Sequence, residues 1–471
     1  MMRSLFSGVS GLKNHQTRMD VIGNNISNVN TTGFKSSRVN FEDSLSQTLT
    51  AASSASGTVG GTNPKQIGLG SRISAIDVNF KDGSVQSTGI NTDLCLSGNA
   101  LFVVTQGNQT FYTRNGAFNF DSQGNLVNAE GLYVQGYMNE SATEHNSVNT
   151  NGATSSIAIR AGKTMASSAT QKANYVNNLN STAPTITAIT GTTQSGAQTS
   201  GLSGVTIGEP TSDPYIAAVL TMSDGTTQTV TSGSYTSGNS IPISTTVKVY
   251  DSLGSAHVVP ITLEKTAANT WLAKLAKATI TEEDGSTTNL TMTPTPATIT
   301  FKDTGAFNSG SASLQLAYSG GNGAAAQTVA ITFDNLTQYA NSTTINAEAD
   351  GYASGTLDTV TIDESGTVVG TYSNGVLRKE AQIAVAQFTN APGLTKNGNS
   401  LYTESQNSGT PNIGTADAFG AKITASALEM SNVDVAEEFS NMIITQRGFQ
   451  SNSKIITVSD EMLENLINMK R

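Results

Sequence analysis

From Val435 onward the large apolar residues step by four and three, so that Val435, Phe439, Met442, Phe449, Ile456, Leu463 and Ile467 fall on one face of a helix. Within that face Val435, Met442, Phe449, Ile456 and Leu463 repeat every seven positions, while Glu437, Glu438, Asn441, Arg447, Asn452 and Lys454 lie off the row. So narrow a stripe, on a helix predicted over Ser431 to Arg471, reads as the seam of a coiled coil or bundle and calls for a partner. The other end of the chain supplies one: Leu5, Leu12, Met19 and Ile26 are spaced by seven, with Ile22 and Val29 in a second row beside them. Gly8, Gly11 and Gly23 each weaken that N-terminal helix by roughly 1 kcal/mol against Ala. It is therefore expected to be marginal alone and to order on packing. The Asn-, Thr- and Gly-rich run from Asn24 to Lys35 predicts its end near Asn30.

Between these extremities the period changes to two. Phe41, Leu45 and Leu49 suggest a further helical turn or two, and Thr50 to Gly70 is rich in Ala, Ser, Gly and Thr, so residues 35–70 read as a flexible linker. From Arg72 to Tyr137 short apolar runs such as Leu94-Cys95-Leu96 and Leu101-Phe102-Val103-Val104 alternate with Gly/Asn turn clusters, the signature of antiparallel hairpins. The same character returns at Val360-Thr361-Ile362 and Gln382 to Phe388. The prediction is a mainly β chain with nested, discontinuous antiparallel domains of sandwich or barrel type, and helical ends that pair as a coiled coil on assembly. The expected divisions are terminal helices at 1–34 and 431–471, a middle β domain at 71–140 and 352–430, and an outer β domain at 141–351. Residues 183–240, very polar, read as a further inserted subdomain.

Charged residues are only 13% of the chain, and 35 Asp and Glu against 25 Lys and Arg leave it acidic. Nucleic acid and anionic membrane, which select clustered Lys and Arg, are not expected partners. The first residues, Met1 to Phe6, lack an apolar h-region, and no apolar run approaches the ~18 residues of a membrane span. His15, His145 and His257 have no companions at metal-ligand spacing, and no phosphate loop occurs, so neither metal, cofactor nor catalytic residues are expected. Asp121-Ser122-Gln123-Gly124-Asn125 reads as a hairpin turn sooner than a calcium loop. Cys95, the single cysteine, sits in a strand pattern that favours a small buried hydrophobe over a reactive thiol.

Two stretches at opposite ends carry a resemblance: Ser7-Gly8-Val9-Ser10-Gly11-Leu12 with Met19 to Lys35, and Ala427-Leu428-Glu429-Met430-Ser431-Asn432-Val433-Asp434 with Glu438 to Ile443 and Gln446-Arg447. Together they resemble the bacterial flagellar rod and hook family. Val249 to His257 with Trp271, and Gly366 to Gly375, are similar to the family's hook members, whereas its distal rod members lack so large a middle. The resemblance implies a self-assembling structural subunit of a curved, flexible tube that passes motor torque to the filament. It also implies copies of the chain, rod and hook–filament junction proteins, a hook cap and a type III export apparatus as partners, and an extracellular place in the flagellum without a cleaved signal peptide. The seam residues named above become the expected polymerisation interface. Some spirochaete members that resemble this chain are crosslinked between a Cys and a Lys of adjacent subunits, which makes Cys95 a candidate for that chemistry. A distal rod-type axial protein and a secreted β-rich adhesin with helical oligomerisation ends are the alternatives.

Overall fold

A computed structural model describes residues 2–55, 57, 60–141, 147–207, 215–281, 285, 287–318 and 323–469; His145 lies outside them. Two long helices bracket the chain, α1 (Met2–Ser27) and α2 (Val435–Asn468), and nearly all regular structure between them is strand. The chain divides into two compact units. One comprises Met1–Lys163, Leu357–Thr371 and Leu377–Arg471; the other comprises Thr164–Thr356 and Tyr372–Val376.

In the first unit, segments from before and after the middle of the chain interleave. The strand Ala100–Gln106 pairs antiparallel with Gln109–Thr113, Tyr133–Met138 and Val385–Gln387, with Phe102 opposite Val385. Leu94–Ser97 pairs with Lys422–Ala425, and Val85–Ser87 with Ala427–Glu429. A continuous apolar run in a strand means burial on both faces. Leu101-Phe102-Val103-Val104 is such a run: Phe102 and Val104 enter a core with Phe118, Val134, Ile383 and Ile423, while Leu101 and Val103 enter another with Tyr112, Phe388 and Tyr402.

The expected helical turns at Phe41, Leu45 and Leu49 are absent. Ser37–Asp43 is a strand paired with Ser71–Val78, and Ser46–Thr50 pairs with Lys65–Gly68. A step of four is even, so it keeps residues on one face of a strand as well as of a helix, and the Ser/Thr/Val/Phe content tips the choice to strand. The stretch expected as a linker therefore carries two ribbons.

The second unit packs a six-stranded and a five-stranded sheet around Trp271, Tyr175, Phe333, Leu314 and Ile299. Its pairing is not wholly antiparallel: Lys172–Asn180 runs parallel to Gln327–Tyr339, a geometry that the long intervening connection permits. A smaller four-stranded sheet built on Ile186–Thr193 and Tyr215–Met222 has its own core of Ile186, Ile189, Val205 and Leu220. The chain enters and leaves it at one point, where Thr185 bridges Ser240.

Candidate assembly interface

The helix α2 starts where its sequence supplies a cap. The Asp434 carboxylate accepts from the amides of Ala436 at 2.8 Å and Glu437 at 3.2 Å, and Glu437 and Glu438 complement the exposed amides of the first turn. It docks on α1 mainly through small and polar residues, with Ile456 of the apolar row among them. A Cβ added to Gly8 would lie 3.3 Å from Ile456 Cγ1, one on Gly11 2.5 Å from Asn452 Nδ2, and one on Gly448 2.7 Å from the His15 ring. Further along, Arg18 Nη2 donates to Asn441 Oδ1 at 3.2 Å and Asn25 Nδ2 to Glu438 Oε1 at 2.9 Å. Thr445 and Ser459 are the buried residues of α2. The face turned to α1 is thus small and polar. Its signal stood in the sequence as a second seven-residue row, Glu438, Thr445, Asn452 and Ser459, which an apolar template passes over.

Of the expected interface residues, Ile22 is buried and Leu5, Leu12, Met19, Ile26, Val29, Met442, Ile456 and Leu463 are half-buried. Val435, Phe439, Phe449 and Ile467 remain exposed, Phe439 by 50% and Ile467 by 68%. The structure adds Ile443 and Ile444, exposed by 58% and 59%, with Ile455, Val458, Met462 and Leu466. By helical spacing Ile444, Ile455, Val458, Met462 and Leu466 lie on the opposite flank of α2 from Val435, Phe439, Phe449 and Ile467, and a groove of about 450 Å³ edged by Ile455, Val458 and Met462 opens on that flank. Isolated exposed apolar residues are ordinary, but files of them along both flanks of one helix mark surfaces that something covers.

Where the two tails meet the β structure, the joint is polar. Gly33, at φ +67°, donates its amide to the Glu429 carbonyl at 2.8 Å, and a Cβ there would stand 2.6 Å from the Asn115 amide. Lys35 Nζ lies 2.7 Å from Glu429 Oε1 and donates to the Lys81 carbonyl at 2.8 Å. Arg114 Nη1 stands 3.4 Å from Glu429 Oε2 and 2.5 Å from the Leu96 carbonyl, while Nη2 reaches Asp82 Oδ1 at 3.1 Å and the Gly98 carbonyl. Lys35, Glu429 and Arg114 are all buried. Burial, then the Arg114 charge, pull the Lys35 ammonium below its ordinary range against the opposing pull of Glu429. Beside this cluster burial, helped by the Glu429 charge, pushes the Cys95 thiol up to about 11. At neutral pH that sulfur is a thiol and a poor nucleophile.

Among the described residues no three His, Cys, Asp or Glu side chains gather as a metal site, and no helix is long and apolar enough to cross a membrane. His257 Nε2 lies 3.4 Å from Asp251 Oδ2 in the second unit, and His15 packs between Gly448 and Phe41. Asp121 spends its carboxylate on the amides of Gln123 and Asn125, as a hairpin turn does.

The sequence is similar to known proteins along its whole length. The chain is 38% identical to the flagellar hook protein FlgE of Treponema pallidum, over the whole of both chains, and 36% identical to that of Borreliella burgdorferi, again over the whole of both. It belongs to the flagellar hook protein family. Residues 5–35 match the flagella basal body rod protein family and 424–469 the flagellar basal body rod FlgEFG protein C-terminal family, so the two tails fall on shared axial modules. Residues 95–163 match the flagellar hook protein FlgE/F/G D1 domain and 221–352 the flagellar basal body protein FlaE D2 domain. The flagellar basal-body rod protein FlgG of Bacillus subtilis is 29% identical over the whole of both chains. The rod protein is thus a relative at lower identity than these hook proteins.

Proposed function

We propose that this chain is the structural subunit of a bacterial flagellar hook, joining copies of itself into a curved, flexible, open-ended tube that passes rotation from motor to filament. The observation that carries this reading is the file of exposed apolar side chains left on α2 after it has docked on α1. A head-to-tail contact whose rotation does not close makes a helical filament, and a helix pair with apolar residues uncovered on both flanks of α2 offers neighbours on either hand such a contact. Each large side chain fully covered by a neighbour contributes about 1.5–3 kcal/mol. Val435, Phe439, Phe449 and Ile467, together with the half-buried seam residues of both helices, are the proposed polymerisation interface. Because the pair's own contact is made largely of small and polar residues, it gains less from apolar burial than the flanks left uncovered would. The tails are then loosely held in the solitary chain and become firm in the tube, which also suits passage of an unfolded chain through the flagellar export channel without a cleaved signal peptide. Rod and junction proteins at the two ends of the tube, and a cap at its growing tip, are the further partners of an extracellular hook. Outer surfaces rich in Ser, Thr and Asn with few fixed charges suit contacts between copies that break and remake as the tube bends.

Sedimentation of the purified chain tests this. The intact chain pellets as tubes of one diameter, whereas a chain lacking residues 431–471, or carrying Phe449→Asp, stays in the supernatant with its β units folded by thermal unfolding. Pelleting polymers from either variant would remove α2 as the assembly element. A fixed small oligomer from the intact chain would favour an adhesin-like reading, and straight, stiff tubes a rod protein.

A further inference from the structure

We propose that Glu429 is the positioning residue of the hook subunit: it sets the angle at which both terminal helices leave the β body, and through that angle the curvature and axial repeat of the tube. The inference rests on the hook reading above. None of the four buried apolar clusters includes a residue of α1 or α2, so the helices stand outside the main cores of the β structure. Asn14 and Asn25 tie α1 to Ser71 and Ser37 of the ribbon, and the segments that join both helices to the rest of the unit meet in a set of directional bonds converging on one residue. Through its backbone Glu429 receives Gly33, the end of the N-terminal tail; through Oε1 it receives Lys35 and the Gly83 amide at 2.8 Å; through Oε2 it faces Arg114. Lys35 and Arg114 in turn hold the carbonyls of Lys81, Leu96 and Gly98. Through its backbone carbonyl and its buried carboxylate this one residue ties the stretch that follows α1, the strand that leads into α2 and two loops of the β body. Apolar contacts tolerate rotation, whereas hydrogen bonds weaken steeply off axis, so a joint of this kind has a defined angle. A further fastener, Asn432, accepts from the Ser36 amide and donates to the Asn79 and Lys81 carbonyls, which again ties the two tails together at the same place.

Two variants test the proposal: Glu429→Gln, and the double change Lys35→Met with Glu429→Leu, which replaces the buried pair by apolar side chains of similar volume. Tubes assembled from each are compared with wild type by electron microscopy, alongside thermal unfolding of the subunit. The expected result is that Glu429→Gln lowers the thermal midpoint and still assembles, with curvature and axial repeat shifted outside the wild-type spread. The double variant also removes the Lys35 charge, but it leaves Arg114 to Asp82 and the backbone carbonyls and the Gly83 amide without its acceptor, so its midpoint too stays below wild type, and it keeps the altered tube. Wild-type curvature and repeat in either variant would overturn the proposal. So would failure of both variants to fold, since Glu429 would then serve the fold and not its geometry. A wild-type chain that forms no tubes removes the hook reading itself, a result separate from unchanged variant tubes.

Discussion

The residues that decide the helix contact are the ones without apolar bulk. Gly448 admits the His15 ring, Gly11 admits the Asn452 amide, and any side chain there would stand inside contact distance. His15 carries a consequence for pH. Burial and the neighbouring Arg18 charge hold its imidazole below the ordinary 6.5, so the docked state favours the neutral ring. A base whose folded value is depressed contributes stability above its unfolded value and loses it as pH falls through the window below 6.5. Glu438, raised chiefly by burial, works in the opposite sense on α2. The variant His15→Gln isolates the first effect: its tubes are expected to withstand a lower pH than wild-type tubes before dissociating, as followed by sedimentation across pH 7 to 4. Equal dissociation profiles would show that the ring does not control docking.

At the scale of elements, α2 is a helix with two faces of different purpose. The row at Glu438, Thr445, Asn452 and Ser459 meets α1, and the row at Val435, Met442, Phe449, Ile456 and Leu463 lies largely to one side of it. A seven-residue repeat finds both and cannot say which of them faces the chain's own partner. Replacing Gly448 with Val should separate the faces in function: it leaves the apolar file intact and forces the helices apart. Tube formation is expected to fall at least tenfold by sedimentation, with the thermal midpoint of the β units unchanged. Normal assembly would mean that the intramolecular pair is dispensable. The ribbons at Ser37–Asp43 and Ser46–Thr50 illustrate the complementary failure of pattern reading, where spacing by four is shared by helix and strand.

For the whole molecule, the most separable part is the small sheet built on Ile186–Thr193 and Tyr215–Met222. Its core does not merge with that of the larger sandwich, and its ends meet at the Thr185–Ser240 bridge. Excising residues 185–239 and rejoining the chain with a short Gly/Ser linker is expected to leave the rest of the second unit folded and tube formation within twofold of wild type by sedimentation. Collapse of the remaining sandwich, seen as loss of its cooperative unfolding transition, would refute that independence. The family relationship bears on this division as well, since the matched D2 region begins only at residue 221 and leaves Ile186–Thr193 outside it.

The sequence alone determined that the chain is β-rich with helical ends, and it carried the end motifs by which the family is recognised. Those features are local: period, turn chemistry and short motifs are set by neighbours along the chain. Only the tertiary structure decided that the helices meet chiefly through glycine, asparagine and histidine, that Val435 and Phe449 of the apolar row stay exposed while Met442, Ile456 and Leu463 are half-buried, and that Lys35, Arg114 and Glu429 share one buried site. Lys35 and Glu429 stand 394 positions apart, and no periodicity reaches across that distance. Their meeting follows from how the strands from the two flanks interleave, and strand pairing at long range depends on the register and burial of the whole sheet at once.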